Sequence, residues 1–201
     1  GLATRVAAST PVGVKQTSGR MKNMVRAYRN HPSILFWSLG NESGAGDNFV
    51  AMKAAALRLD DRPVHYCEMD DLSDMDSNMY PSLESMIEID KEDRDKPYFM
   101  CEYAHAMGNS LGGFKEYWDL IRKYPNYQGG FIWDFVDQAQ KWPADPANYG
   151  TDHVFVFGGD FNDYDYSDNS FCCNGLIASD RTYHPHAYEV AYQYRPIHTS
   201  A

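Results

Sequence analysis

Ser33-Ile34-Leu35-Phe36-Trp37-Ser38-Leu39, closed by Gly40-Asn41-Glu42-Ser43-Gly44, is the stretch on which the fold turns. The first part is a near-continuous apolar run, which suits a strand buried on both faces, as in a parallel sheet. It ends in two polar groups, Asn41 and Glu42, at the strand's C-terminal end. Upstream, Met21, Met24, Val25 and Tyr28 sit at i, i+3, i+4 and i+7, a helical stripe. Asn30-His31-Pro32 stops that helix. Downstream the alternation continues. Phe49, Met52, Ala56 and Leu59 mark a second helix, with Asp47 or Asn48 as candidate N-cap. Residues 63–67 read as a short strand and 77–80 as a weak one. Residues 82–90 suit a short helix, and 97–101 a strand ended by Glu102, Tyr103 and His105. Phe114, Tyr117, Trp118 and Ile121 give another helical stripe, and 129–137 a strong strand. A long loop rich in Tyr, Asp and Asn follows, then a helix from about Pro185 to Tyr194. Residues 1–17 are small and polar without a period and read as a tail or linker, leaving 18–201 as the folded portion.

Strands alternating with helices imply an α/β fold with a parallel sheet and right-handed crossovers. In such folds ligands gather at the C-terminal ends of the strands, where Glu42, Tyr80, Glu102 and Trp133 fall. The chain has 201 residues, 43% of them hydrophobic, which is enough for a real core. A net charge of -10 argues against nucleic acid and against an anionic membrane surface as partners. No run approaches the ~18 apolar residues of a membrane span, and the opening residues lack a signal peptide's apolar stretch. The compartment is not legible. Cys67, Cys101, Cys172 and Cys173 show no CxxC spacing with His partners and read as reduced thiols rather than a zinc site. Adjacent Cys172 and Cys173 rarely bridge, because the geometry is strained.

Glu42 and Glu102 both lie just past apolar strands, where a charge would be half buried. Two carboxylates facing one cleft are the equipment for glycoside hydrolysis, one protonated to serve the leaving oxygen and one ionised. The alternative is that each glutamate pairs with an arginine or caps a helix. The acidic loop with Asp70, Asp71, Asp74 and Asp76 lacks the Gly and final Glu of an EF-hand and reads as solvated.

The stretch from His31 through Glu42, HPSILFWSLGNE, resembles a signature of glycoside hydrolase family 2, the family of large bacterial β-galactosidases. Cys101-Glu102-Tyr103-Ala104-His105-Ala106-Met107-Gly108-Asn109-Ser110 resembles its second signature. Gly129-Gly130-Phe131-Ile132-Trp133-Asp134-Phe135-Val136-Asp137-Gln138 resembles its third. Three motifs in order favour the β-galactosidase branch, and the resemblance runs from about Ser18 to Ile197. It implies a retaining hydrolase of β-galactosides, with carboxyl groups about 5–5.5 Å apart.

The resemblance also implies roles. Glu42 would be the general acid/base, with Asn41 holding the sugar 2-hydroxyl. Glu102 would be the nucleophile, with Tyr80 supporting it. His105 would contact sugar hydroxyls, and Trp133 would be the platform under the galactose ring. Phe171, through its carbonyl, and Asn174 would lie near a sodium ion (Na+) and the 6-hydroxyl. Glu42 would help bind magnesium (Mg2+) with upstream His and Glu ligands that this chain lacks. Each residue also has a plainer reading. Tyr80 before Pro81 suits a turn, His105 a core histidine, Trp133 a barrel filler and Phe171 a hydrophobic plug.

A complete (β/α)8 barrel takes about 250 residues. The resemblance assigns the strands here to barrel strands 4 to 8, a partial TIM barrel. The expectation is a fragment with exposed strand edges that needs the N-terminal half of the barrel or self-association, and is inactive alone. Two further readings remain: a non-catalytic sugar-binding or assembly fragment, and a sister activity such as β-glucuronidase. The lack of a recognisable basic motif for gripping a sugar carboxylate argues against the latter.

Overall fold

The computed structural model describes residues 10–92, 94–164, 167, 169–197 and 199. Residues 1–9 of the expected tail lie outside them. The chain divides into two compact units, Gly1–Asn78 with Asp93–Phe99, and Met79–Glu92 with Met100–Ala201.

In the first unit, Thr10 is extended and its Oγ1 accepts the Gly13 N–H at 3.1 Å. Pro11 stands in the first turn, where its missing N–H has no intrahelical partner to lose. Helix α1 (Pro11–Tyr28) therefore begins at the Thr-Pro cap and not at Met21. Residues 11–17, expected as tail, are helix, because the cap and not an apolar stripe sets the start. Met21 and Val25 of α1 enter a core with Trp37, Leu39, Phe49, Met52, Ala56, Val64 and Tyr66. Strand β1 (Trp37–Ser38) pairs in parallel with β2 (Val64–His65), Trp37 opposite Val64. The strand is shorter than the apolar run. Ser33 to Phe36 stay outside it and Leu35 is exposed, since among the described residues only β2 pairs with β1. Helix α2 (Asp47–Leu57) follows, with Gly46 rather than Asp47 or Asn48 as N-cap.

The acidic loop is pinned rather than solvated throughout. Asp74 accepts the Val64 N–H at 2.8 Å and pairs with Lys53, and Asp76 pairs with Arg94 at 3.0 Å.

His65 is 4% exposed. Its ring lies between Ser38 Oγ at 3.2 Å and Ser77 Oγ at 2.7 Å, against Phe36 and Phe99. Burial pushes its pKa down to about 4 from 6.5. The neutral form is favoured in the fold, so this contribution to stability is complete above pH 6.5 and is lost as pH falls toward 4. Between those pH values, urea midpoints are expected to report a loss of roughly 2–3 kcal/mol. His65→Gln should flatten that part of the profile; an unchanged slope would contradict the assignment.

The three-stranded sheet has the order β3 (Asp76–Met79), β4 (Tyr98–Tyr103), β5 (Tyr127–Ile132). Asp76 N–H donates to Pro97 O at 2.9 Å and Tyr80 N–H to Glu102 O at 2.8 Å, an advance in the same direction that makes β3 and β4 parallel. In the second unit, α3 (Leu83–Lys91) is capped by Ser82, which accepts the Ser85 N–H at 3.1 Å. Helix α4 (Phe114–Lys123) buries Phe114 and Ile121. A β-carbon at Gly130 would stand 3.0 Å from the Tyr103 ring and 3.1 Å from Met100 Cβ, so glycine lets β5 pack this closely.

The segment expected as a long loop holds an antiparallel hairpin. Strand β6 (Gln140–Pro143) pairs with β7 (His153–Val156), with the short helix α5 (Pro146–Tyr149) between them. Every residue of β6 is exposed, so no apolar alternation marked it. Helix α6 (Pro185–Tyr194) starts and ends where the sequence placed it. Its Tyr194 hydroxyl bonds to the Tyr103 hydroxyl at 2.7 Å, which also accepts Trp118 Nε1–H at 3.1 Å. The described strands form sheets of two, three and two strands and no closed barrel.

Candidate active site

The second unit gathers most of the residues singled out from the sequence. Glu102 sits near the C-terminal end of β4, half-buried, and Tyr80 directly follows β3. The parallel register sets them side by side. The Tyr80 hydroxyl donates to Glu102 Oε2 at 3.0 Å, in addition to the backbone bond between the two residues. Tyr80 (φ 49) and Ala104 (φ 53) both adopt the left-handed backbone region, which non-glycine residues seldom enter. His105 lies edge-on to Tyr80, ring centroids 6.1 Å apart, and 5.0 Å from Phe171. The Asn174 amide Nδ2 lies 3.0 Å from His105 Nε2. An amide nitrogen only donates, so Nε2 accepts and a neutral ring carries its proton on Nδ1. Asn174 is 1% exposed, and the same Nδ2 also donates to the Phe171 carbonyl.

Trp133 follows β5 through a cis peptide to Asp134. Its N–H donates to Tyr103 O at 3.1 Å and its carbonyl accepts the Ala106 N–H at 3.4 Å. Trp133 is 37% exposed. Glu102, Tyr80, His105, Phe171 and Asn174 thus form one connected cluster, with Trp133 bonded to the backbone on both sides of His105.

Asn41 and Glu42 belong to the first unit. Both are exposed, and Glu42 has φ 47. Glu42 was expected half buried; it is exposed, and the strand has already ended at Ser38.

Two positioning groups went unnoticed in the sequence. Glu68 Oε2 accepts the Ser43 N–H at 2.6 Å, the Gly44 N–H at 2.9 Å and the Tyr66 hydroxyl at 2.8 Å. One carboxylate thereby fixes the turn that carries Glu42. It sits in no motif, so only contact could reveal it. Asp137 does the same for Asn174. Its Oδ1 accepts the Gly175 N–H at 2.8 Å and its Oδ2 accepts from His184 Nε2 at 2.7 Å. Asp134 N–H donates to Asn174 O at 3.0 Å and Gln138 N–H to Cys172 O at 2.8 Å. Asp137 lies in the third motif, which was the available signal, but it was read there only as strand.

No group of three His, Cys, Asp or Glu side chains that could hold a metal ion occurs among the described residues. The expected magnesium set pairs Glu42 with upstream His and Glu residues outside this chain, so of that set only the Glu42 carboxylate is present here. The residues expected beside sodium are Phe171 and Asn174. Asn174 Oδ1 is buried without a hydrogen-bond partner, and the Phe171 carbonyl lies beside the same side chain. Neutral oxygens of this kind suit a hard cation.

The description "Glycosyl hydrolases family 2, TIM barrel domain" matches residues 2–199. The chain belongs to glycosyl hydrolase family 2 and is an α/β, partial TIM-barrel segment of it. It is 47% identical over 184 residues to the β-galactosidase large subunit of Leuconostoc lactis, covering 87% of this chain and 29% of that protein. It is 43% identical over 195 residues to a β-galactosidase of Photobacterium profundum, covering 89% of this chain and 18% of that protein. The chain thus spans less than a third of either relative. Among solved structures it resembles a β-glucuronidase from Ruminococcus gnavus, with TM-score 0.59 and 17% identity over 91% of this chain and 36% of that one. At that identity the likeness is one of fold.

Proposed function

We propose that this chain is the catalytic segment of a retaining β-galactosidase. The observation that carries the reading is the Tyr80 hydroxyl on Glu102 Oε2 at 3.0 Å, within a family 2 chain that is 43–47% identical to proteins named β-galactosidases. Glu102, ionised, attacks the anomeric carbon with one oxygen while Tyr80 holds the other. The bond to the leaving oxygen breaks as Glu42 donates its proton. Glu42 then takes a proton from water, the water oxygen attacks the anomeric carbon, and the ester to Glu102 breaks. Tyr80 donates to the carboxylate as it departs. His105 and Asn41 hold sugar hydroxyls, and Trp133 packs against the apolar face of the ring. When bound, a sodium ion held by the Phe171 carbonyl and Asn174 Oδ1 would supply positive charge to a sugar hydroxyl oxygen.

β-Glucuronidase activity rests on fold likeness at 17% identity, against 43–47% for named β-galactosidases. The galactoside reading is preferred.

The described strands close no barrel, so the chain alone is expected to hydrolyse p-nitrophenyl β-galactoside at background rate. Co-expression with a polypeptide supplying the remaining barrel strands should raise the rate by orders of magnitude. Full activity of the chain by itself would refute the need for completion. Galactose binding without turnover in the completed protein would favour a sugar-binding segment instead.

A further inference from the structure

The segment between Phe171 and Asn174 carries two thiols that this chemistry does not use. Cys172 and Cys173 are half-buried and their sulfurs lie 3.9 Å apart. Their backbone is held in place: the Cys172 carbonyl accepts the Gln138 N–H at 2.8 Å, and its thiol donates to Asn169 O at 3.5 Å. A direct S–S bond between them is disfavoured. Neighbouring α-carbons across a trans peptide stand about 3.8 Å apart, whereas disulfides usually require about 4.4–6.8 Å.

Bridging by a third atom has different geometry. An atom bonded to two sulfurs at about 2.3 Å with a near-tetrahedral angle spans about 3.8 Å between them. That is close to the observed 3.9 Å. Among the described residues no third or fourth ligand completes a metal site, so a four-coordinate cation is poorly served. A monosubstituted trivalent arsenical is satisfied by two thiols.

We propose that Cys172 and Cys173 form a two-thiol binding site for monosubstituted trivalent arsenicals. With an arylarsenic(III) oxide, two As–S bonds form and the As–O double bond breaks. Both thiol protons leave with that oxygen as one water. Arsenic remains trivalent and nothing is oxidised or reduced. The site stands apart from the galactosidase reading, since binding is read on the chain itself.

The test is titration of the reduced 201-residue chain with phenylarsine oxide, followed by intact mass and peptide mapping. One phenylarsenic group per chain is expected. It should protect Cys172 and Cys173 together from maleimide, and be removed by 2,3-dimercaptopropanol but not by an equal concentration of monothiol. Cys172→Ser or Cys173→Ser should weaken binding by about 100-fold or more, because the second sulfur no longer acts at high effective concentration. Cys67→Ser combined with Cys101→Ser should leave it unchanged. Protection of Cys67 or Cys101 instead, or an adduct stripped by monothiol, would overturn the proposal. Mapping on the unaltered chain keeps the answer independent of whether the serine variants fold.

Discussion

Glu102→Gln, in the barrel completed with its remaining strands, is expected to lower turnover of p-nitrophenyl β-galactoside by roughly 10⁵-fold, as loss of a catalytic nucleophile does elsewhere. The substitution keeps the side chain's shape and an oxygen for the Tyr80 hydroxyl, which now donates at 3.0 Å. What it removes is the ionised oxygen that bonds to the anomeric carbon. The decisive measurement uses a 2-deoxy-2-fluoro-β-galactoside with a dinitrophenyl leaving group. The unaltered protein should gain one fluorosugar on the peptide carrying Glu102, while Glu102→Gln gains none. Glu42→Gln should still be labelled, because dinitrophenolate departs without a proton, yet it should lose turnover of substrates with poor leaving groups. Labelling of Glu102→Gln would remove that residue from the nucleophile's role and leave the proposed assignment without its centre.

Gly175→Ala is expected to cost about 3 kcal/mol or more of stability, among the larger effects available to a single methyl group. A β-carbon at Gly175 would lie 2.3 Å from Asp137 N, 2.6 Å from Val136 C and 2.8 Å from Ile177 O. All three are backbone atoms, so no side chain can swing aside. They are also tied together, since Asp137 N–H donates to Ile177 O at 2.9 Å and Leu176 N–H to Asp134 O at 3.1 Å. The methyl group must therefore pry these two segments apart, and it would displace the Asn174 amide next to it. Urea unfolding of the chain checks this. A change below about 1 kcal/mol would show that the close approach is not rigid. Here glycine is required by packing and not by a left-handed backbone.

The helices were read best where an apolar stripe or a proline marked them. Phe114, Tyr117, Trp118 and Ile121 announced α4, and Pro185 announced α6. The apolar stripe at Met21 marks only the later turns of α1, because its first turns carry few apolar residues and its start depends on the Thr10 cap. Strand lengths were overestimated around Trp37 and after Ile132. Hydrophobicity reports burial, whereas a strand needs a hydrogen-bonded neighbour, and that neighbour is far away in the chain. The hairpin of β6 and β7 was missed for the converse reason: it is paired but not buried.

By itself the sequence determined the family, the α/β class and the residue types at the strand ends, because those rest on local order: three motifs, each contiguous. The cluster of Tyr80, Glu102, His105, Phe171 and Asn174 was only implied by resemblance until the fold placed these residues together. Tertiary structure alone decided which groups hold the candidate side chains in place. Glu68 on the Glu42 turn, Asp137 and His184 behind Asn174, and the 3.9 Å between two thiols are all contacts across space. A carboxylate's partners depend on which backbone N–H groups the fold leaves unpaired beside it, and no local pattern in the chain records that.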